Sequence, residues 1–175
     1  YTGTRAAAVA AASPIKNDGH SYVDLEQGMF YRLSQGSRAT KKRQPPVPLP
    51  PRLLAHMRRW VSKKIAKHHF VEWNDKAVQS VTVGFRNAVR RAGIEGKVTP
   101  HTLRHTAATW LMQAGVSLWE ASRFLGMTQE TLEHVYGHHH PDNLRGAANA
   151  IGYRRRVSVT DSLTARTRAP SKPMQ

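Results

Sequence analysis

Thr99-Pro100-His101-Thr102-Leu103-Arg104-His105-Thr106-Ala107-Ala108-Thr109 is the stretch whose reading decides the fold. Thr99 can accept a hydrogen bond from a free backbone N–H of a first helical turn, and Pro100 suits the first helical position, so a helix starts here. Leu103, Ala107, Trp110, Leu111 and Ala114 recur at helical spacing and are expected to form its buried face, with Gly115 closing it. His101 and Arg104 stand three apart just inside the N-terminus, which puts an imidazole and a guanidinium on one face beside unpaired N–H groups. Those are the parts of a phosphate site. Taken alone, they are equally an ordinary His and Arg on a solvated helix face.

Downstream, Ser117 caps a short helix that ends at Phe124-Leu125-Gly126, and Thr128 caps another that ends at Val135-Tyr136-Gly137. Pro141 is expected to begin a last helix reaching about Ile151. Upstream, the Ala-rich residues 5–12 read as a helix stopped by Ser13-Pro14. Residues 22–25, residues 29–34 and a stretch ending Val47-Pro48-Leu49 read as a three-stranded antiparallel meander. Pro50-Pro51 opens a helix with Leu53, Leu54, Met57, Trp60 and Val61 at a 3.6-residue rhythm, and residues 78–92 form another with Val81, Phe85, Ala88 and Val89. The fold class is therefore mainly α with a small three-stranded antiparallel β-sheet. No internal repeat is visible.

The 175 residues carry 27 Lys+Arg against 11 Asp+Glu, a net charge of +16, and 18 of those cations are Arg. The guanidinium fork matches phosphate oxygens, so a polyanion is the expected partner, nucleic acid first and a membrane surface second. With no Cys, disulfide scaffolds, thiolate zinc sites and cysteine catalysis are excluded. The longest apolar run, residues 6–12, is too short to cross a bilayer, and no signal-peptide pattern opens the chain. Because the chain opens on Tyr1 without Met, it reads as a piece of a longer protein. Arg154-Arg155-Arg156 and the Ser, Thr, Arg and Pro that follow read as a basic, disordered tail over residues 153–175.

The order of these landmarks resembles the catalytic box of the tyrosine recombinase (phage integrase) family: His-x-Leu-Arg-His at 101–105, then Gly115, Leu125-Gly126, and Tyr136-Gly137-His138. Tyr1-Thr2-Gly3-Thr4-Arg5 is similar to the segment with the family's first catalytic Arg. Lys41-Lys42-Arg43 before Val47-Pro48-Leu49-Pro50 is similar to its catalytic-lysine hairpin. The resemblance implies the DNA breaking-rejoining fold over residues 1–152 and site-specific recombination through a 3′-phosphotyrosine. It assigns Arg5 and Arg104 to the non-bridging phosphate oxygens, Tyr136 as nucleophile, Lys41 (or its neighbour Lys42) as general acid, and His101 as an aid to proton transfer. It implies double-stranded DNA as partner, a homotetramer on DNA in the full-length protein, no membrane, no cofactor and no metal, and a cytoplasmic, nucleoid-associated location.

The departure is Met127, nine residues before Tyr136, where the family has His or Trp. Met donates no hydrogen bond, so a donor is lost or replaced, and His138 is the expected supporting residue. A catalytically weak DNA-binding remnant is the alternative. His134, His138, His139 and His140 also invite a metal-dependent phosphoesterase reading, but no Cys or carboxylate cluster completes a tetrahedral set. Tyr153, beside the Arg run, is the second candidate nucleophile, and His105 is expected to be buried and structural.

Overall fold

Thr99 does start a helix, and the cap is reciprocal: its hydroxyl accepts from the Thr102 N–H while the Thr102 hydroxyl accepts from the Thr99 N–H. The structure, a computed structural model, describes residues 1–16, 19–34, 36 and 43–152. Lys41, Lys42, Tyr153 and the basic tail lie outside the described residues. Two units are distinguished, Tyr1–Pro141 and one beginning at Asp142.

In the first unit, α1 (Ala6–Ala10) leads into β1 (Tyr22–Asp24), β2 (Met29–Tyr31) and β3 (Val47–Pro48), an antiparallel meander in the order β1-β2-β3. Val23 sits opposite Phe30, and Phe30 opposite Val47. That register puts three buried apolar side chains across one sheet face. Ala8, Ala12, Leu49 and Met57 complete this first core, with Met57 supplied by α2 (Pro51–Ser62). The Asp24 carboxylate holds the first turn by accepting from the Glu26 and Gln27 N–H groups, both at 2.9 Å.

A second sheet was not legible beforehand: β4 (Glu72–Trp73) pairs antiparallel with β5 (Lys76–Ala77). Its turn residues Asn74 and Asp75 both take positive φ, 50° and 59°, which suits a two-residue hairpin loop. Helix α3 (Thr82–Arg91) follows and buries none of its residues. Its Phe85 and Ala88 instead line an open apolar groove of about 810 Å³ with Val9 and Leu103.

The second core is helical. Ala108 and Met112 of α4 (Pro100–Gln113) pack on Ala121 and Leu125 of α5 (Leu118–Leu125) and on Leu132 and Tyr136 of α6 (Gln129–Tyr136). The buried stripe of α4 is Arg104, Ala108 and Met112, and this corrects the expected face: Leu103 is 54% and Trp110 67% exposed, while Ala107 and Leu111 flank the core. The physical reason is Ala108, whose small side chain allows α5 and α6 to close on that side. Leu125 is followed by Gly126 at φ 66°, the left-handed cap that turns the chain towards α6. A 3₁₀ turn at Gly137–His139 ends this part. In the second unit, α7 covers Arg145–Gly152 and starts four residues later than Pro141 suggested.

Candidate active site

Arg104 lies one turn into α4 and is buried, with its Nη1 donating to the Gly3 carbonyl at 2.7 Å. Gly3 takes φ 58°, and a Cβ there would meet Leu125 Cδ2 at 2.6 Å and Ala107 Cβ at 3.1 Å. The N-terminal segment therefore presses directly onto α4 and α5. Two residues on, Arg5 reaches across with both nitrogens, Nη1 to the Arg43 carbonyl at 2.8 Å and Nη2 to the Gly126 carbonyl at 3.1 Å. At Gly126 a Cβ would lie 2.6 Å from the Arg43 oxygen, so glycine is what allows these two backbones to meet.

A third guanidinium, unforeseen in the sequence, joins them. Arg32 follows β2, is 4% exposed, and donates from Nε to the Pro45 carbonyl at 2.8 Å. Its pKa is pushed down to about 10 by burial, then by the charge of Arg104, then by that of Arg5. The signal was available: strand alternation puts Phe30 and Arg32 on the same inward side and Tyr31 outside. Arg104 is likewise lowered, by burial first and the Arg5 charge second. Lys67 and Asp75 form an ion pair elsewhere, and no ion pair among the described residues joins any of these three arginines to a carboxylate.

Tyr136 ends α6 with its ring in the helical core and its hydroxyl hydrogen-bonded to His105 Nδ1. Burial raises its pKa above the usual 10, and the Arg104 charge offsets part of that rise. Tyr136 bonds to His105, the residue next to Arg104 on α4, which brings the phenol to the arginine cluster. His105 is exposed rather than buried, correcting the expectation, although it does hydrogen-bond, to Tyr136 at the edge of the helical core. Its partnership with Tyr136 was missed in the sequence reading, since residues 105 and 136 are brought together only by the packing of α6 on α4. His101, one turn earlier and exposed, meets the His105 ring edge-on at 4.5 Å between centroids.

The remaining expected residues divide. Met127 is half-buried against the helical core. His138 is exposed, with its ring 3.9 Å from that of His139, and among the described residues no hydrogen bond joins it to Tyr136 or Arg104. No group of three or more His, Cys, Asp or Glu among the described residues is placed to hold a metal. The arrangement offers a dry phenol, an imidazole placed to take its proton, and three cations without counter-charge. Such a set can bind a phosphodiester and favour phenolate attack on it.

A family model described as the phage integrase family matches residues 18–143. The tyrosine recombinase of Thermosipho africanus is 33% identical over 111 residues, 62% of this chain and 38% of that protein. The XerA tyrosine recombinase of Thermococcus kodakarensis is 27% identical over 132 residues, 71% of this chain and 45% of the other. Among solved structures, that of XerA recombinase aligns with a TM-score of 0.60 at 21% identity, covering 86% of this chain and 52% of that one. The Tn1549 transposon integrase in complex with transposon right end DNA aligns with a TM-score of 0.61 at 17% identity, covering 86% and 55%. The chain thus spans less than half of these two curated relatives and about half of these two structures.

Proposed function

This chain belongs to the phage integrase family of tyrosine recombinases, and from that premise we propose that it is the catalytic part of a site-specific recombinase that cuts and rejoins duplex DNA through Tyr136. The observation that carries the reading is the meeting of Tyr136 with His105 beside the Arg5–Arg104 pair, from positions remote in sequence.

In the proposed reaction, Arg5 and Arg104 hold the non-bridging oxygens of the scissile phosphate. Tyr136 Oη forms a bond to phosphorus as the bond to the 5′ oxygen breaks, which leaves a 3′-phosphotyrosine and a 5′-hydroxyl. The phenol proton passes to His105 Nδ1, which accepts when His105 is neutral with its proton on Nε2. The leaving oxygen is protonated by Lys41, with His101 assisting. Attack of another strand's 5′-hydroxyl on the phosphotyrosine reverses these steps, so the phosphate bond is conserved throughout.

The magnitudes are compatible. An ordinary phenol is about one part in a thousand ionised at pH 7, a deficit of roughly 4 kcal/mol. Burial enlarges that deficit here. A preorganised donor to the developing charge is worth about 2.7–4 kcal/mol, so two guanidiniums cover it. Duplex DNA is the partner that fits a charge of +16. No described helix is long and apolar enough to cross a membrane. We place the activity on the nucleoid in the cytoplasm, carried out by four copies of the whole protein.

A second reading, a DNA-binding remnant with little activity, is favoured by one observation: Met127 packs into the helical core and offers no donor. A nicked duplex whose cleaved fragment diffuses away separates the two. An adduct formed by the native chain and absent from Tyr136→Phe, with duplex affinity unchanged, supports catalysis. DNA binding by the native chain with no adduct at low salt supports the remnant. An adduct formed by Tyr136→Phe moves the nucleophile to Tyr153.

A further inference from the structure

Within the cation cluster, Arg32 carries a buried nitrogen left without a partner. Its Nε is committed to the Pro45 carbonyl, but its Nη2 is buried and has no hydrogen-bond partner. A guanidinium taken out of water usually comes with a carboxylate, because an unpaired buried cation costs several kcal/mol. Here the charges that act on it are those of Arg104 and Arg5, both of its own sign.

We propose that Arg32 is a third phosphate ligand of the site, presenting Nη2 to the same DNA phosphate that Arg5 and Arg104 hold, and that it supplies the donor missing at Met127. The proposal rests on the recombinase reading for the identity of the anion, a phosphodiester of DNA. The backbone supports it. Arg5 bonds the Arg43 carbonyl, Arg32 bonds the Pro45 carbonyl, and Gly126 comes within van der Waals reach of both residues. Segment 43–45 therefore seats two of the guanidiniums side by side, and Gly3, two residues before Arg5, seats the third. Met127 follows Gly126 at the edge of this same junction, with a thioether where a donor is lacking.

A strut for Pro45 would need only one N–H, which a neutral amide supplies without a buried charge. A phosphate ligand needs the charge and the second nitrogen, and those are what this site retains. A donor fixed at Nε and shielded from water is already oriented when the anion arrives.

The test uses the 175-residue chain with inorganic phosphate as probe, against sodium chloride of matched ionic strength. The native chain is expected to gain melting temperature with phosphate in a saturable way, and the Nε resonance of Arg32, identified by its loss in Arg32→Lys, is expected to shift along the same titration. Arg32→Met should melt no lower than the native chain without phosphate, respond to phosphate less than half as strongly, and form the nicked-duplex adduct about a hundredfold more slowly. Arg32→Lys should recover part of that rate. A full phosphate response and a native adduct rate in Arg32→Met would overturn the proposal. If Arg32→Met does not fold, an Arg32 resonance that ignores phosphate in the native chain overturns it. Tyr136→Phe keeps the phosphate response while losing the adduct. Should it keep the adduct, the assignment of the nucleophile fails, and the phosphate titration still decides on Arg32.

Discussion

The two sides of the candidate site are built by opposite means. The arginine side is polar to its foundations: three guanidiniums are seated on the backbone carbonyls of Gly3, Arg43, Pro45 and Gly126, and like charges crowd one another. The tyrosine side is apolar to its foundations: the ring of Tyr136 belongs to the same core as Leu125, Leu132 and Met112, and only its hydroxyl emerges towards His105. The first side stores unbalanced charge that an anion relieves. The second fixes a nucleophile by packing and keeps it protonated at rest. Binding and chemistry are thereby assigned to different kinds of structure, and they should be separable by substitution.

Arg104→Ala should have the largest effect, because it removes the residue whose charge reaches both sides. Single-turnover adduct formation is expected to fall by more than a thousandfold, somewhat above the usual loss for one donor, together with a measurable drop in duplex affinity. A loss confined to the rate would break the comparison, since it would leave the arginine side without a part in binding.

How far could this division be read in the sequence? The ends of elements were legible wherever one residue does one thing. Thr99-Pro100 starts α4, Ser117 and Thr128 cap α5 and α6, and Gly126 closes α5. The meander was legible from its alternation and its Gly28 turn. What failed was the question of which side of an element faces inward. The apolar residues of α4 predicted a face through Leu103 and Trp110, yet the buried stripe is Arg104, Ala108 and Met112. Periodicity measures where apolar residues fall and says nothing of which neighbours arrive. Arg32 went unnoticed for the same reason, since a charged residue at a strand end is ordinarily solvated. The hairpin at 72–77 was hidden because its strands have two residues each and its turn uses Asn74-Asp75 without glycine. Arg5, Arg104 and Tyr136 were singled out by the family resemblance, and His105 was seen but given no role in the chemistry.

On the tyrosine side, His105→Ala should slow adduct formation by about a hundredfold at neutral pH, the low end for loss of a general base, and leave duplex affinity unchanged. Recovery of the rate at higher pH, where the phenol ionises unaided, would sharpen the assignment. A change in affinity would break it. A smaller effect is expected where the two sides meet. Met127→His adds a donor next to Gly126 and should speed the adduct by tens of fold, about 2 kcal/mol. If Arg32 already fills that role, the gain should be larger in Arg32→Met than in the native chain.

The smallest effect is on stability at alkaline pH, and its sign differs between the sides. Tyr136 has its pKa raised by burial, so its protonated form favours the fold; that contribution is intact below about pH 10 and is lost as pH rises through the folded-state value. Arg32 has its pKa lowered to about 10, so its charge opposes the fold until the pH rises past that value. Both contributions change as the pH rises past about 10, the first lowering stability and the second raising it. Tyr136→Phe removes the first, so it should lose less melting temperature above about pH 10 than the native chain.

The seating of the arginines has a consequence for when the site comes into being. Arg5 bonds a carbonyl 121 residues further along, and Arg104 bonds one 101 residues back. Closures of that length form late, because the chain must first surrender the freedom of everything between them. During synthesis the α1 end leaves the ribosome long before Gly126 does, so a nascent chain holds its arginines apart and has no nucleophile. Proteolytic halves cut between Pro45 and Arg104 are in a like position, for neither contains both ends of the Arg5–Gly126 or the Arg104–Gly3 bond. The DNA-cutting capacity proposed for this protein is therefore a property of the finished fold alone, appearing in one step at the close of folding and vanishing in one step when the chain is nicked and its halves part.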